Sequence, residues 1–236
     1  MTNIISIFKK ELNSFFDSSL AYIAIFLFLI ITGVGFFNFS FFLQKQADVR
    51  DLFFFCSAVY IITIPAITMR LISEELKNGT LELLTTYPVT DFQIVFGKFL
   101  ASLTLLTITI ALTFVYTFSV STLGNLDEGI VMGGYIGLIL MGAVLIALGV
   151  YISSATDSQV VALIVSVAVI FFWIFLDNIL IFIGGNVRIF EFIAIDTHFT
   201  NIQRGVVDSR DIIYYFSFIT LFLFLATRSL AGRKWA

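Results

Sequence analysis

The sequence predicts an all-α integral membrane protein of one domain that crosses the bilayer six times. Three observations carry that expectation. The 236 residues are 59% hydrophobic, with a mean hydropathy of +1.04 and only 12% charged residues, whereas soluble domains are about a quarter charged. Six apolar runs each come close to the roughly 20 residues that a hydrocarbon core requires. The longest polar interruption of the first half, residues 70–90, is patterned rather than merely polar.

Two prolines and the lack of a Gly/Ser-rich linker argue for a single domain over residues 1–236. The 29 phenylalanines read as lipid-facing filler under codon bias rather than as a cofactor box. A net charge of −3 says little about partners, because its distribution matters more. Cys56 stands alone in an apolar run, which excludes disulfide frameworks and thiolate metal clusters. The first apolar run is too long for a cleavable signal and no A-x-A site follows it, so none is expected.

The first element, residues 1–18, is too polar to cross a bilayer. Ile4, Ile5, Phe8, Leu12, Phe15 and Phe16 are assigned to one helical face, opposite Lys9, Lys10, Glu11 and Asn13. That pattern predicts a helix lying in the membrane surface, with a plain lead-in to the first span as the simpler reading. Spans are expected at 19–43, 52–72, 92–123, 130–153, 160–183 and 212–230. The third exceeds what a span needs and is expected to tilt or project at one end. Pro65 predicts a kink in the second. Gly133 and Gly137, continued by Ala143 and Ala147, give the fourth a small-residue face for close helix packing.

Orientation follows from the basic residues. Six spans put both termini on one side, with Lys9, Lys10, Arg70, Lys77, Lys98, Arg228, Arg233 and Lys234; the other side holds Lys45, Arg50, Arg188, Arg204 and Arg210. Eight against five favours cytoplasmic termini. Residues 73–91 then face the cytoplasm and 184–211 face outward. Within the former, Asn78-Gly79 signals a turn, Thr80 is a helix N-cap, Glu82 falls in the positive first turn, and Pro88 stops the helix. Leu81, Leu83 and Leu84 give this short helix an apolar face that a soluble partner can grip. A solvated loop held by nothing is the bland alternative, and the agreement of turn, cap, leucines and stop argues against it. The outer loop is too apolar to hang in water. It is expected to dip into the outer leaflet or cap a cavity, with His198, Arg204, Asp208 and Arg210 as cavity residues.

The chain lacks a catalytic constellation. His198 has no serine that it must meet, and Glu74-Glu75 lacks the intramembrane histidines that paired-carboxylate chemistry would need. Asp177 lies about 18 residues into its run, near 27 Å at 1.5 Å per residue; interfacial solvation there weighs more than a role in lining the outer cavity. No phosphate-binding loop occurs, so the chain itself does not bind and hydrolyse ATP. Its scattered basic residues do not form a nucleic-acid surface.

Residues 73–89 resemble the cytoplasmic signature of type-2 ABC exporter permeases, E-x-x-x-G-T-x-E-x-L-x-x-x-P. Glu75, Gly79, Thr80, Glu82, Leu84 and Pro88 occupy its places. The likeness extends over the whole chain. Within the family, the run 196–215 is similar to the gliding-motility-associated permeases of Bacteroidetes, and copper-processing and multidrug permeases share much of that pattern. The resemblance implies that 80–87 is a coupling helix seated in a separate ATPase, with Glu75, Gly79, Thr80, Leu81, Glu82, Leu83, Leu84, Tyr87 and Pro88 at the interface. Phe8, Lys9, Lys10 and Leu12 would add an accessory contact. It further implies ATP and Mg bound by that partner and no cofactor on this chain. A GldA-like ATPase, a second permease copy or a paralogous GldG-like membrane subunit, contact with membrane lipid and a bacterial inner-membrane location follow as well. An exporter subunit is the leading expectation; a subunit that passes force to envelope or motility machinery without moving a substrate is the alternative.

Overall fold

The computed structural model describes residues 2–41, 48–80, 89–124, 126–176, 193–205 and 208–233. Among them the chain is helical throughout: α1 (Thr2–Asp17), α2 (Ser19–Val34) running into a π-helical stretch (Gly35–Phe41), α3 (Arg50–Thr68), α4 (Ser73–Lys77), α5 (Asp91–Leu112), α6 (Phe114–Ser121), α7 (Glu128–Ala155), α8 (Gln159–Ile174), α9 (Ile195–Gln203) and α10 (Ser209–Arg233). Five helical stretches are long and apolar enough to cross a membrane: Ser19–Phe39, Arg50–Lys77, Asp91–Ser121, Glu128–Ala155 and Ser209–Arg233. The run expected at 160–183 is represented by α8. Its 16 residues extend about 24 Å, and 177–183 lie outside the described residues. Even so, α8 leads from one end of the bundle to the other. It begins at the turn after α7, and in its last turn Trp173 donates its indole N–H to the Ile193 carbonyl (2.7 Å) just before α9.

Helix starts are set by local chemistry. Thr90 and Gln93 form a reciprocal capping box, Gln93 N–H to Thr90 Oγ1 at 3.3 Å and Thr90 N–H to Gln93 Oε1 at 3.2 Å. Asp127 caps α7 by accepting from Gly129 N–H at 2.9 Å. The long third stretch changes its backbone pattern at Thr113, between α5 and α6. The amide there bonds Ile110 O three residues back, and its hydroxyl donates to the same carbonyl at 2.6 Å. Pro65 was expected to kink the second span. In the structure α3 carries Pro65 inside it and continues to Thr68, where the regular helix gives way to a turn over 69–72.

The expected face of α1 also needs correction. The half-buried positions are Ile4, Ile7, Phe8, Glu11, Leu12, Phe15 and Phe16, while Ile5 is 52% exposed. Ile5 falls off the stripe because it sits a full residue turn from the Ile4–Phe8–Glu11–Phe15 line, whose spacing of three and four residues defines one helical face. Glu11 belongs to that line and points inward.

The core is organised around α7, against which α3, α4, α5, α8, α9 and α10 all pack. Small residues on every side of this helix permit it. A Cβ at Gly134 would come within 2.0 Å of the Phe53 ring on α3, one at Gly142 within 2.3 Å of Leu106 on α5, and one at Gly149 within 2.3 Å of Thr68. The Gly133/Gly137 pair seats the short α9: a Cβ at Gly133 would lie 2.3 Å from the Ile202 carbonyl, and Phe199 covers Gly137. The small-residue face thus receives a helix from the predicted outer loop. Gly133→Ala is expected to destabilise the protein by roughly 1–3 kcal/mol, the scale of overpacking a close contact. Gly232→Ala, with nothing within 4 Å of the added carbon, should leave the thermal midpoint in lipid nanodiscs unchanged.

Candidate functional site

The bundle end that carries α1, α4, the start of α5 and Arg233 is the terminal face; the end with α9 is the far face. On the terminal face the sequence places a lysine, Lys98, two turns into an otherwise apolar helix. Its side chain is 1% exposed. An isolated ammonium in such surroundings is costly and must be paired. Lys98 Nζ lies 3.0 Å from Glu11 Oε1 of α1 and 2.9 Å from Glu75 Oε1 of α4, both carboxylates being about 15% exposed. Gly97 brings α1 into reach, since a Cβ there would meet Ile7 at 2.8 Å. Lys10 Nζ approaches Glu75 from the solvent side at 3.8 Å. Three chain segments distant in sequence therefore share one buried ion cluster. The Arg70–Glu74 pair beside it (2.8 Å) is more than a third exposed and contributes little.

The same segment is fixed from the other side by α7. The buried Ser153 hydroxyl accepts from the amides of Ile72 and Ser73, each at 3.1 Å, and donates to Met69 O at 3.2 Å. Ser73 Oγ also donates to Met69 O. One hydroxyl thus satisfies the backbone groups released where α3 gives way to α4. Further out, Ser229 of α10 donates to Ser154 O at 3.0 Å, and Arg233 pairs with Asp157.

Of the residues expected to meet a partner, Glu75 is the buried ion-pair member just described. Gly79 has φ +67° with no side chain within 4 Å of a would-be Cβ, so the backbone conformation alone demands glycine there. Thr80 is already helical, and its hydroxyl donates back to Glu75 O at 3.4 Å. Leu81, Glu82, Leu83, Leu84, Tyr87 and Pro88 lie outside the described residues. On α1, Lys9 and Lys10 are exposed, whereas Phe8 and Leu12 are half-buried against the bundle.

On the far face the described residues of the expected set divide into one buried and three exposed. His198 is buried, with Nδ1 2.6 Å from Asp211 Oδ1 and its ring stacked on Tyr214 at 3.8 Å. Tyr214 in turn donates to Ile193 O at 2.6 Å. Arg204, Asp208 and Arg210 are exposed, and Asp177 lies outside the described residues. His198 therefore fastens α9 to α10.

Sequence reading missed the pairing of Glu11 with Lys98. The signal was present: Glu11 falls one turn after Ile7 and one turn before Phe15, in the middle of the apolar stripe. Ser153 gave no comparable signal, because a serine at a helix end is ordinary. Lys98→Met should leave Glu11 and Glu75 facing each other without a cation, a loss of about 3–5 kcal/mol read as a lowered thermal midpoint in nanodiscs. Replacing all three groups together, with Lys98→Met, Glu11→Gln and Glu75→Gln, should recover most of that loss.

A family model described as ABC-2 family transporter protein matches residues 5–234. Comparison with curated proteins gave no match. The match takes in every helix from α1 to α10, including the ion cluster on the terminal face. This chain belongs to the ABC-2 family of transporter membrane proteins.

Proposed function

We propose that the chain is the permease subunit of an ATP-driven exporter of the gliding-motility type, GldF-like. In this reading residues 80–88 form the coupling helix in a groove of a separate GldA-like ATPase, which binds ATP and Mg. The pairing partner is a second permease copy or a GldG-like membrane subunit. The chain sits in the bacterial inner membrane with six spans and both termini in the cytoplasm; the course of α8 between the two bundle ends supports the sixth crossing.

The observation that carries the reading is the seating of the segment leading into residue 80. It is tied to α1 and α5 through the Glu11–Lys98–Glu75 cluster and to α7 through Ser153. A force applied to 80–88 therefore reaches three helices through short, buried contacts, as a rigid lever requires. An unsupported loop would dissipate it. The Gly79 turn, the exposed Lys9 and Lys10, and the alternation of Leu81, Leu83 and Leu84 with polar residues fit a docking face on the same side.

Leu83→Asp and Leu84→Asp are each expected to abolish co-purification with the ATPase encoded alongside this chain while leaving membrane insertion intact. Retention of the ATPase by both variants would remove the interface. Separately, Lys77→Cys, at an exposed position on the same segment, should react with a membrane-impermeant maleimide in inverted vesicles and not in intact cells. Labelling of intact cells would reverse the orientation.

A further inference from the structure

A cleft on the flank of the bundle has no part in the reading above. It opens sideways between α5–α6 and the first half of α7, with a volume of about 760 Å3, within the range of small-molecule sites. Ile110 and Phe118 form one wall, Met132 and Ile136 the other. Phe118 and Met132 stand 65% and 66% exposed, so the cleft opens on the outside of the bundle.

Three features make it more than an apolar groove. A chain of hydroxyls lies in its wall: Thr113 donates to Ile110 O at 2.6 Å and approaches Tyr135 OH at 3.3 Å, and Tyr135 OH lies 2.8 Å from Thr117 Oγ1. With the Thr113 proton held by Ile110 O, the one Tyr135 proton goes to the nearer oxygen, that of Thr117, whose own proton is left for an acceptor in the cleft. Depth is the second feature. Thr117 lies four residues before the end of α6 at Ser121, about 6 Å of helix, which matches the thickness of one interfacial layer, roughly 5–7 Å. The cleft then continues from Thr117 to Thr107, ten residues or about 15 Å of helix, half of a hydrocarbon core about 30 Å thick. Charge is the third. Glu128 lines the upper end of the cleft with Asp127 adjacent, and both are exposed.

We propose that this cleft binds one phospholipid with an amine head group from the far-face leaflet. An acyl chain fills the apolar length, an ester carbonyl accepts from Thr117, and the ammonium faces Glu128. The acidic mouth disfavours an anionic head group in the same place. The site lies away from the terminal-face ion cluster and does not depend on which leaflet proves to be cytoplasmic.

The test uses the purified full chain in nanodiscs of equal phosphatidylethanolamine and phosphatidylglycerol with matched acyl chains, read by native mass spectrometry. Retained lipid should favour phosphatidylethanolamine about fivefold, the scale of one solvated ion pair. Glu128→Gln, at an exposed position that folding does not require, should bring the ratio to that of the bulk. Thr117→Val should reduce occupancy for both lipids, and Ile136→Trp, which fills the cleft, should abolish it, with the thermal midpoint reporting that each variant is folded. Retained lipid at the bulk ratio in the unaltered protein, a preference for phosphatidylglycerol, or full occupancy in folded Ile136→Trp would each overturn the proposal.

Discussion

A positive charge buried in an apolar bundle constrains everything around it. Lys98 is enclosed between α1, α4 and α5, and the medium there gives an ammonium no water to lean on. Two carboxylates must therefore be delivered to within 3 Å of it, one from the N-terminal surface helix and one from the segment after the second long stretch. This requirement fixes where α1 lies and where the chain must go before it reaches residue 80. Apolar packing alone could hold α1 against the bundle in several registers, because the hydrophobic effect has no direction. The ion cluster selects one.

The second organising constraint is close approach to α7. Lipid tails are as apolar as leucine, so helices in a bilayer associate through shape, and small residues supply it. Around α7 each glycine admits a different neighbour: a ring at Gly134, a leucine at Gly142, a threonine at Gly149 and a backbone carbonyl at Gly133. Ser153 at the end of this helix then adds polar contacts to the turn between α3 and α4. The central helix is thus joined by packing along its length and by hydrogen bonds at its terminal-face end.

The parts of this fold legible in the sequence are those governed by one-dimensional pattern. Apolar runs located five long helical stretches to within a few residues, and the Gly133/Gly137 spacing announced a close contact. What pattern could not supply was the partner of each contact. Gly133 receives α9, a helix from a segment read as an outer loop, because a glycine reports a neighbour's proximity and not its identity. Glu11 was grouped with Lys9 and Lys10 by charge, although its register places it inward; helical position outranks polarity when a counter-ion waits on the other side. Lys98 was counted as a loop charge because it lies near a span's end. The bond between His198 and Asp211 depends on how α9 folds back against α10, which no local signal encodes.

The Glu75 carboxylate has one further property. Its Oε1 serves Lys98 and faces Lys10, while among the described residues Oε2 is buried and has no hydrogen-bond partner. With that oxygen idle, Glu75 carries a buried acceptor whose lost hydration no hydrogen bond among the described residues repays, so the contact with Lys98 must offset that cost as well.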